Sequence, residues 1–185
     1  MILAIDTSLG TSLALIDGEE VLIDHRGDDS RRHAETLGPL IQQAMRHRDA
    51  LEAVVVGMGP GAFTGLRVGI ATGESIATGL QIPVIRICSH DAAGHTSDDE
   101  TIVTSDVRRG ERAWSRYVGG LRVEGPSLAP ADAVPVPVGA NRVDVATVDC
   151  VALAKAAATG RIEQSALYLR PADAVVPGAP KRVST

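Results

Sequence analysis

Aromatic residues are almost missing from this chain of 185 residues, which has one phenylalanine, one tryptophan and two tyrosines. They are Phe63, Trp114, Tyr117 and Tyr168. That scarcity excludes a protein that stacks successive bases on a platform of rings, and it leaves the core to Ala, Val, Leu and Ile. Cysteine is as scarce. Cys88 and Cys150 lack CxxC spacing, so there is no disulfide framework, and two buried free thiols in a reducing compartment are expected. An excess of basic charge is missing too. A formal net charge of −5 argues against a broad grip on a phosphate backbone. The basic groups Arg31–Arg32, Arg46–His47–Arg48, Arg108–Arg109 with Arg112, and Lys181–Arg182 read as solvated faces. The opening apolar run ends at Asp6, too short for a signal-peptide core or a membrane span, which predicts a cytoplasmic protein with no membrane contact.

What is present is a series of short apolar runs. Residues 1–6, 11–17 and 20–25 read as three strands joined at tight turns, an antiparallel meander. Ser30 offers a helix cap, and Ala34, Leu37, Leu40, Ile41, Ala44 and Met45 recur at helical spacing to about His47, with a bend expected near Gly38–Pro39. Residues 51–57 read as a strand buried on both faces, 63–80 as a helix and 82–88 as another buried strand. After a polar turn at 97–100 the pattern restarts with strands at 101–106, 112–117 and 121–123. Four prolines between Gly125 and Gly139 are expected to break any long element, 148–159 to form a helix, and the tail from Pro171 to be irregular. The pattern is that of an α/β protein with two lobes, residues 1–96 and a smaller 97–185.

Two stretches carry chemistry. In "AIDTSLGTS" a strand ends at Asp6 and is followed by Thr7 and Ser8. A carboxylate at a strand mouth beside hydroxyls and backbone N–H groups suits a hydrated metal and a nucleotide phosphate, and equally suits a hairpin turn that bonds its own backbone. In "GMGPGAFTGLRVGIATG" the glycines fail both standard phosphate templates. There is no lysine for a P-loop, and Gly59, Gly61 and Gly65 are spaced one residue too long for a dinucleotide fingerprint. What remains is an anion nest leading into a helix, with Arg67 near, or a packing device. Gly65, Gly69, Gly73 and Ala77 recur every four residues and leave one helix face nearly bare. Glycine in a helix costs about 1 kcal/mol relative to alanine, so close approach must compensate, by the lobe's own sheet or by a helix of another chain.

Other chemistry is thinly supported. His90 and His95 are five residues apart, which on a helix points their rings in different directions rather than at one metal. His33 in the first turn of its helix is expected to be exposed or at a contact, and no G-x-S-x-G elbow surrounds Ser8, Ser12, Ser89 or Thr64.

"MILAIDTS", "RRHAETLGPLIQQ", "GMGPGAFTGLRVGIATG", "SDVRRGERAW" and "ALYLRP" together resemble the TsaB (YeaZ) family, in order and spacing over most of the chain. The resemblance implies an actin-like ATPase (ribonuclease H-like) fold with two similar lobes, from which this chain departs in a reduced second lobe. It implies a non-catalytic partner of a TsaD-type transferase that makes N6-threonylcarbamoyladenosine on tRNA, with a TsaE-type ATPase joining the complex. By position it makes Asp6, Thr7 and Ser8 candidate nucleotide-binding residues and Gly59, Pro60, Gly61, Thr64 and Arg67 the signature loop. It places a docking face for the partner, or for a second copy of the chain, on His33, Leu37, Leu40, Ile41, Phe63, Gly65, Leu66, Gly69, Ile70, Gly73 and Ala77. The implied chain needs no cofactor of its own, with ATP at the complex and tRNA reached through it. "SHDAAGH" departs from the His-x-x-x-His motif of the catalytic relative. An ATP-binding phosphotransferase and a metallopeptidase are the competing readings.

Overall fold

The structure, a computed structural model, describes residues 1–29 and 32–170. Its first sheet has five strands in the order β3-β2-β1-β4-β5. β1 (Ile2–Asp6), β2 (Thr11–Asp17) and β3 (Glu20–Gly27) form the expected antiparallel meander, and β4 (Ala53–Gly57) and β5 (Val84–Ile87) add in parallel. β4 is buried along its whole length, the pattern of a parallel strand covered on both faces.

Strand alternation decides which helix each face meets. Leu3, Ile5, Leu13 and Leu15 point to α1 (His33–Ala44) and α2 (Phe63–Leu80), while Val54 and Val56 of β4 pack under α2. Ala4, Ala14, Ile16 and Val55 point to the opposite face, where α4 (Cys150–Ala156) lies. The small side chains Ala4 and Ala14 match an alanine-rich helix, whose start is capped by Asp149 accepting from Ala152 N–H at 3.0 Å. Helix α4, assigned by sequence to the second lobe, therefore packs on the first sheet. Non-local burial made that choice, because its apolar residues complete a face that the first lobe leaves bare.

The second sheet has the order β8-β7-β6-β9, from β6 (Thr101–Asp106), β7 (Glu111–Val118), β8 (Leu121–Pro130) and β9 (Asn141–Val145). Two differences from expectation lie here. β8 runs through Pro126 and Pro130, which its place at the sheet edge permits, because one side of an edge strand needs no ladder donors. β9 was unanticipated; its exposed, polar sequence pairs in parallel with β6 and shows no apolar run. A short helical turn, α3 (Asp91–Gly94), joins the sheets and packs beside α4, β6 and β8; a Cβ at Gly94 would sit 2.3 Å from the ring of Tyr117 on β7.

α1 begins after Arg32 and holds Pro39 within it; a 3-10 turn, Met45–Ala50, follows. Ser30 and the tail from Pro171 lie outside the described residues. Cys88 and Cys150 are buried free thiols, and burial pushes both well above the ordinary thiol range.

Candidate functional site

The two motif stretches close on each other. Glycines spaced four apart in the second stretch lie against the three residues at the end of β1. A Cβ on Gly57 would sit 1.7 Å from Asp6 Oδ2, one on Gly61 2.5 Å from Ser8 O, one on Gly65 2.8 Å from Thr7 O, and one on Gly69 2.4 Å from Thr7 Oγ1. Only glycine lets the loop and the start of α2 descend this far. Gly59 turns the chain at φ +94, and the Gly59–Pro60 peptide is cis.

This closeness uses up the polar atoms of the turn. Asp6 is 1% exposed. Its Oδ1 accepts from Ser8 N–H at 2.7 Å and from Ser8 Oγ–H at 2.6 Å, and its Oδ2 accepts from the Ser89 hydroxyl. Ser89 Oγ in turn accepts from Gly59 N–H at 3.0 Å, tying the signature loop to the same carboxylate. Thr7 Oγ1 donates to Gly65 O at 2.6 Å and accepts from Gly69 N–H at 2.9 Å, which bolts α2 to β1. Burial pushes the Asp6 carboxyl above its ordinary range, and the hydrogen bonds from Ser8 and Ser89 pull it back. The candidate nucleotide residues Asp6, Thr7 and Ser8 are thus engaged inside the chain, with no side-chain oxygen of Asp6 turned outward. Ser89, the residue that completes the cage, was visible in the sequence only as one hydroxyl among several.

Of the expected docking residues, seven are committed to the chain's own interior. Gly65, Gly69, Gly73 and Ala77 face the sheet, Gly73 with its Cβ position 2.4 Å from Val56 Cγ2, and Leu66, Leu37 and His33 are buried. The bare stripe is answered by the lobe's own sheet. His33, expected to be exposed or at a contact, is 8% exposed and shares a 2.9 Å hydrogen bond between its Nδ1 and Thr11 Oγ1, because α1 is drawn onto β2. Leu40, Ile41, Phe63 and Ile70 are half-buried and reach the outer surface, alongside the exposed Thr64 and Arg67. The Arg67 guanidinium carbon lies 4.2 Å over the Phe63 ring, which packs on Tyr168 at 4.8 Å.

A cleft of about 630 Å³ opens between the lobes, with Ser8, Gly61 and Phe63 on one wall and Asp106, Arg108 and Arg170 on the other. Arg108 and Arg109 both hold positive φ at the tip between β6 and β7, and Arg108 N–H donates to Asp106 Oδ1 at 2.7 Å. Arg170 is spent on Glu111 and on Val107 O. A shallower groove of about 560 Å³ runs beside α2, where Glu74 pairs with Arg86 at 2.7 Å.

His90 is sealed away from any metal role. It is fully buried between Ser115 Oγ and Ser105 Oγ, each 2.9 Å from a ring nitrogen, and burial with the nearby Arg122 charge pulls its pKa down to about 3. Among the described residues no three His, Cys, Asp or Glu side chains are grouped to hold a metal ion. Nor is any described helix long and apolar enough to cross a membrane.

Comparison with known proteins places this geometry. Residues 28–164 match the family model described as TsaD, tRNA N6-adenosine threonylcarbamoyltransferase. An uncharacterized protein of Mycobacterium tuberculosis is 41% identical over 145 residues, 74% of this chain and 68% of that protein. The tRNA threonylcarbamoyladenosine biosynthesis protein TsaB of Bacillus subtilis is 30% identical over 130 residues, 65% of this chain and 57% of that protein. The chain thus spans little more than half the length of that TsaB relative, and 40% of a Mycobacterium leprae relative. Among solved structures, YeaZ from Pseudomonas aeruginosa superposes with a TM-score of 0.69 at 23% identity, over 85% of this chain and 90% of that one. The architecture of two mixed sheets is accordingly the actin-like, ribonuclease H-like fold of YeaZ. The chain belongs to the family of that transferase model, as a protein of its TsaB (YeaZ) type.

Proposed function

We propose that the chain serves the biosynthesis of threonylcarbamoyladenosine on tRNA as a non-catalytic partner of a TsaD-type transferase, docking through the outer surfaces of α1 and α2. Its relatives in Escherichia coli, Bacillus subtilis and Haemophilus influenzae carry the name of that pathway. The observation that carries the non-catalytic part is the closed turn: both Asp6 oxygens accept hydrogen bonds from Ser8 and Ser89, so the carboxylate that would otherwise suit a hydrated metal and a nucleotide phosphate is here a structural cap.

The docking surface is the part of the expected face that the chain's own core leaves outward. On α1 it comprises Leu40 and Ile41 with exposed Ala34, Gly38 and Gln42, and on α2 Phe63 and Ile70 with exposed Thr64, Arg67 and Ala71. A half-buried apolar stripe edged by polar residues suits a helix-to-helix interface. In isolation the same surface would pair two copies of the chain. In the complex a TsaE-type ATPase brings ATP turnover, and tRNA is engaged through the assembly in the cytoplasm.

The test is reconstitution of threonylcarbamoylation of tRNA, with ATP turnover read in parallel, for this chain alone, the TsaD-type protein alone and the mixture. The expected result is no turnover by the chain alone and tRNA modification by the mixture above that of the transferase alone. ATP hydrolysis or peptide cleavage by the purified chain would overturn the reading in favour of the phosphotransferase or the peptidase.

A further inference from the structure

Charged side chains from three separated elements meet in a sealed space where the two sheets join. Asp91 opens α3, Arg122 lies on β8, and Glu163 sits on the segment after α4, its backbone N–H bonded to Arg86 O on β5. Their side chains are 6%, 5% and 9% exposed. Arg122 Nη2 pairs with Glu163 Oε1, and its Nη1 donates to Gly125 O at 3.1 Å. Arg122 Nε lies 3.1 Å from Asp91 Oδ1 without the alignment of a hydrogen bond, and Tyr117 of β7 donates to that same oxygen at 2.7 Å.

Two features do not balance. One guanidinium faces two carboxylates, which leaves one negative charge uncompensated if all three are ionised. In addition, Asp91 Oδ2 is buried with no hydrogen-bond partner. Asp6 in the same molecule shows what a buried carboxylate looks like when both oxygens are met by donors. Among the described residues no neighbour supplies the missing positive charge. Cys88 and Tyr117 are acids that burial keeps neutral, His90 is held neutral at neutral pH, and Lys155 on α4, which packs against α3, is exposed.

We propose that Asp91 is held as the neutral acid with its proton on Oδ2, so that the junction is one Arg122–Glu163 ion pair joined to a carboxylic acid, and that the joint between the sheets loosens when this proton leaves. Burial raises the Asp91 carboxyl above its ordinary range and the Glu163 charge adds to this, while the Arg122 charge and the Tyr117 hydrogen bond pull it back. A carboxyl raised in the folded state binds a proton that the unfolded chain has released. Its contribution is therefore complete below the ordinary value of 3.8 and is lost as the pH rises through the folded value. The junction becomes a proton-sensitive hinge between the lobe that carries α1 and α2 and the second sheet.

The experiment is infrared spectroscopy of the full chain carrying aspartate labelled with carbon-13 at the side-chain carboxyl, with thermal unfolding followed from acid to alkaline pH. At neutral pH the wild type should show an isotope-shifted carboxylic acid band that disappears in Asp91→Asn. That variant, which resembles the neutral acid, should unfold within about 2 °C of wild type at neutral pH and lose part of the alkaline decline. Absence of an Asp91-dependent acid band overturns the proposal. So does failure of Asp91→Asn to fold, since an ionised Asp91 would then be what the cluster requires.

Discussion

Alanine at Gly69 would bring a methyl carbon to 2.4 Å from Thr7 Oγ1 and 3.2 Å from Thr7 Cγ2. Thr7 cannot simply swing away, because its hydroxyl holds Gly65 O at 2.6 Å and Gly69 N–H at 2.9 Å. Losing both buried hydrogen bonds costs about 1 kcal/mol each, and the overpacking adds about 1–3 kcal/mol. The better helix propensity of alanine returns about 1 kcal/mol. The expected balance is a destabilisation of about 2–4 kcal/mol, a fall in Tm of roughly 5–15 °C for a chain of this size. The control is Gly79→Ala, on the same helix, where a Cβ meets nothing within 4 Å and the change should be neutral to stabilising by up to about 1 kcal/mol. Urea unfolding of both variants at two protein concentrations is the assay. If Gly69→Ala matches Gly79→Ala in stability and weakens only association with a partner, the stripe packs between chains and the intrachain account fails.

Asp6→Ala should cost about 2–4 kcal/mol through the donors of Ser8 and Ser89 left buried and unpaired, measured by urea unfolding; a variant as stable as wild type would show the turn to be dispensable. His90 titrates at about 3 in the fold against 6.5 ordinarily, so its contribution is full above 6.5 and is lost as the pH falls toward 3, by up to about 1.4 kcal/mol per pH unit. His90→Gln should flatten that acid-side slope in Tm, and an unchanged slope would refute the assignment. Ala71→Arg, on the exposed face of α2, should leave Tm within about 2 °C and weaken binding to a TsaD-type transferase at least about tenfold by calorimetry. Unchanged affinity would move the docking surface elsewhere.

Local pattern carried much of the first lobe. The meander, the doubly buried β4 and the long α2 all follow from alternation, an unbroken apolar run and helical spacing, each readable within a dozen residues. β9 escaped because its strand character comes from pairing with β6 and not from apolar residues. Only the start of β8 was legible, at 121–123; its continuation to Pro130 escaped because proline is tolerated at an edge, and edge position is a property of the sheet.

By itself the sequence determined that glycines every four residues strip one face of α2, and that Asp6 ends a buried strand beside two hydroxyls. It could not determine that these are one feature. Tertiary structure decided that, by laying Gly57, Gly61, Gly65 and Gly69 onto Asp6, Thr7 and Ser8 and consuming their polar atoms. It also decided that α4 belongs with the first sheet and that Asp91, Arg122 and Glu163 share one buried space. The physical reason is the same throughout. Periodicity records which face of an element is apolar or bare, whereas what covers that face is settled by residues tens of positions away, through burial and hydrogen bonding that no local window contains.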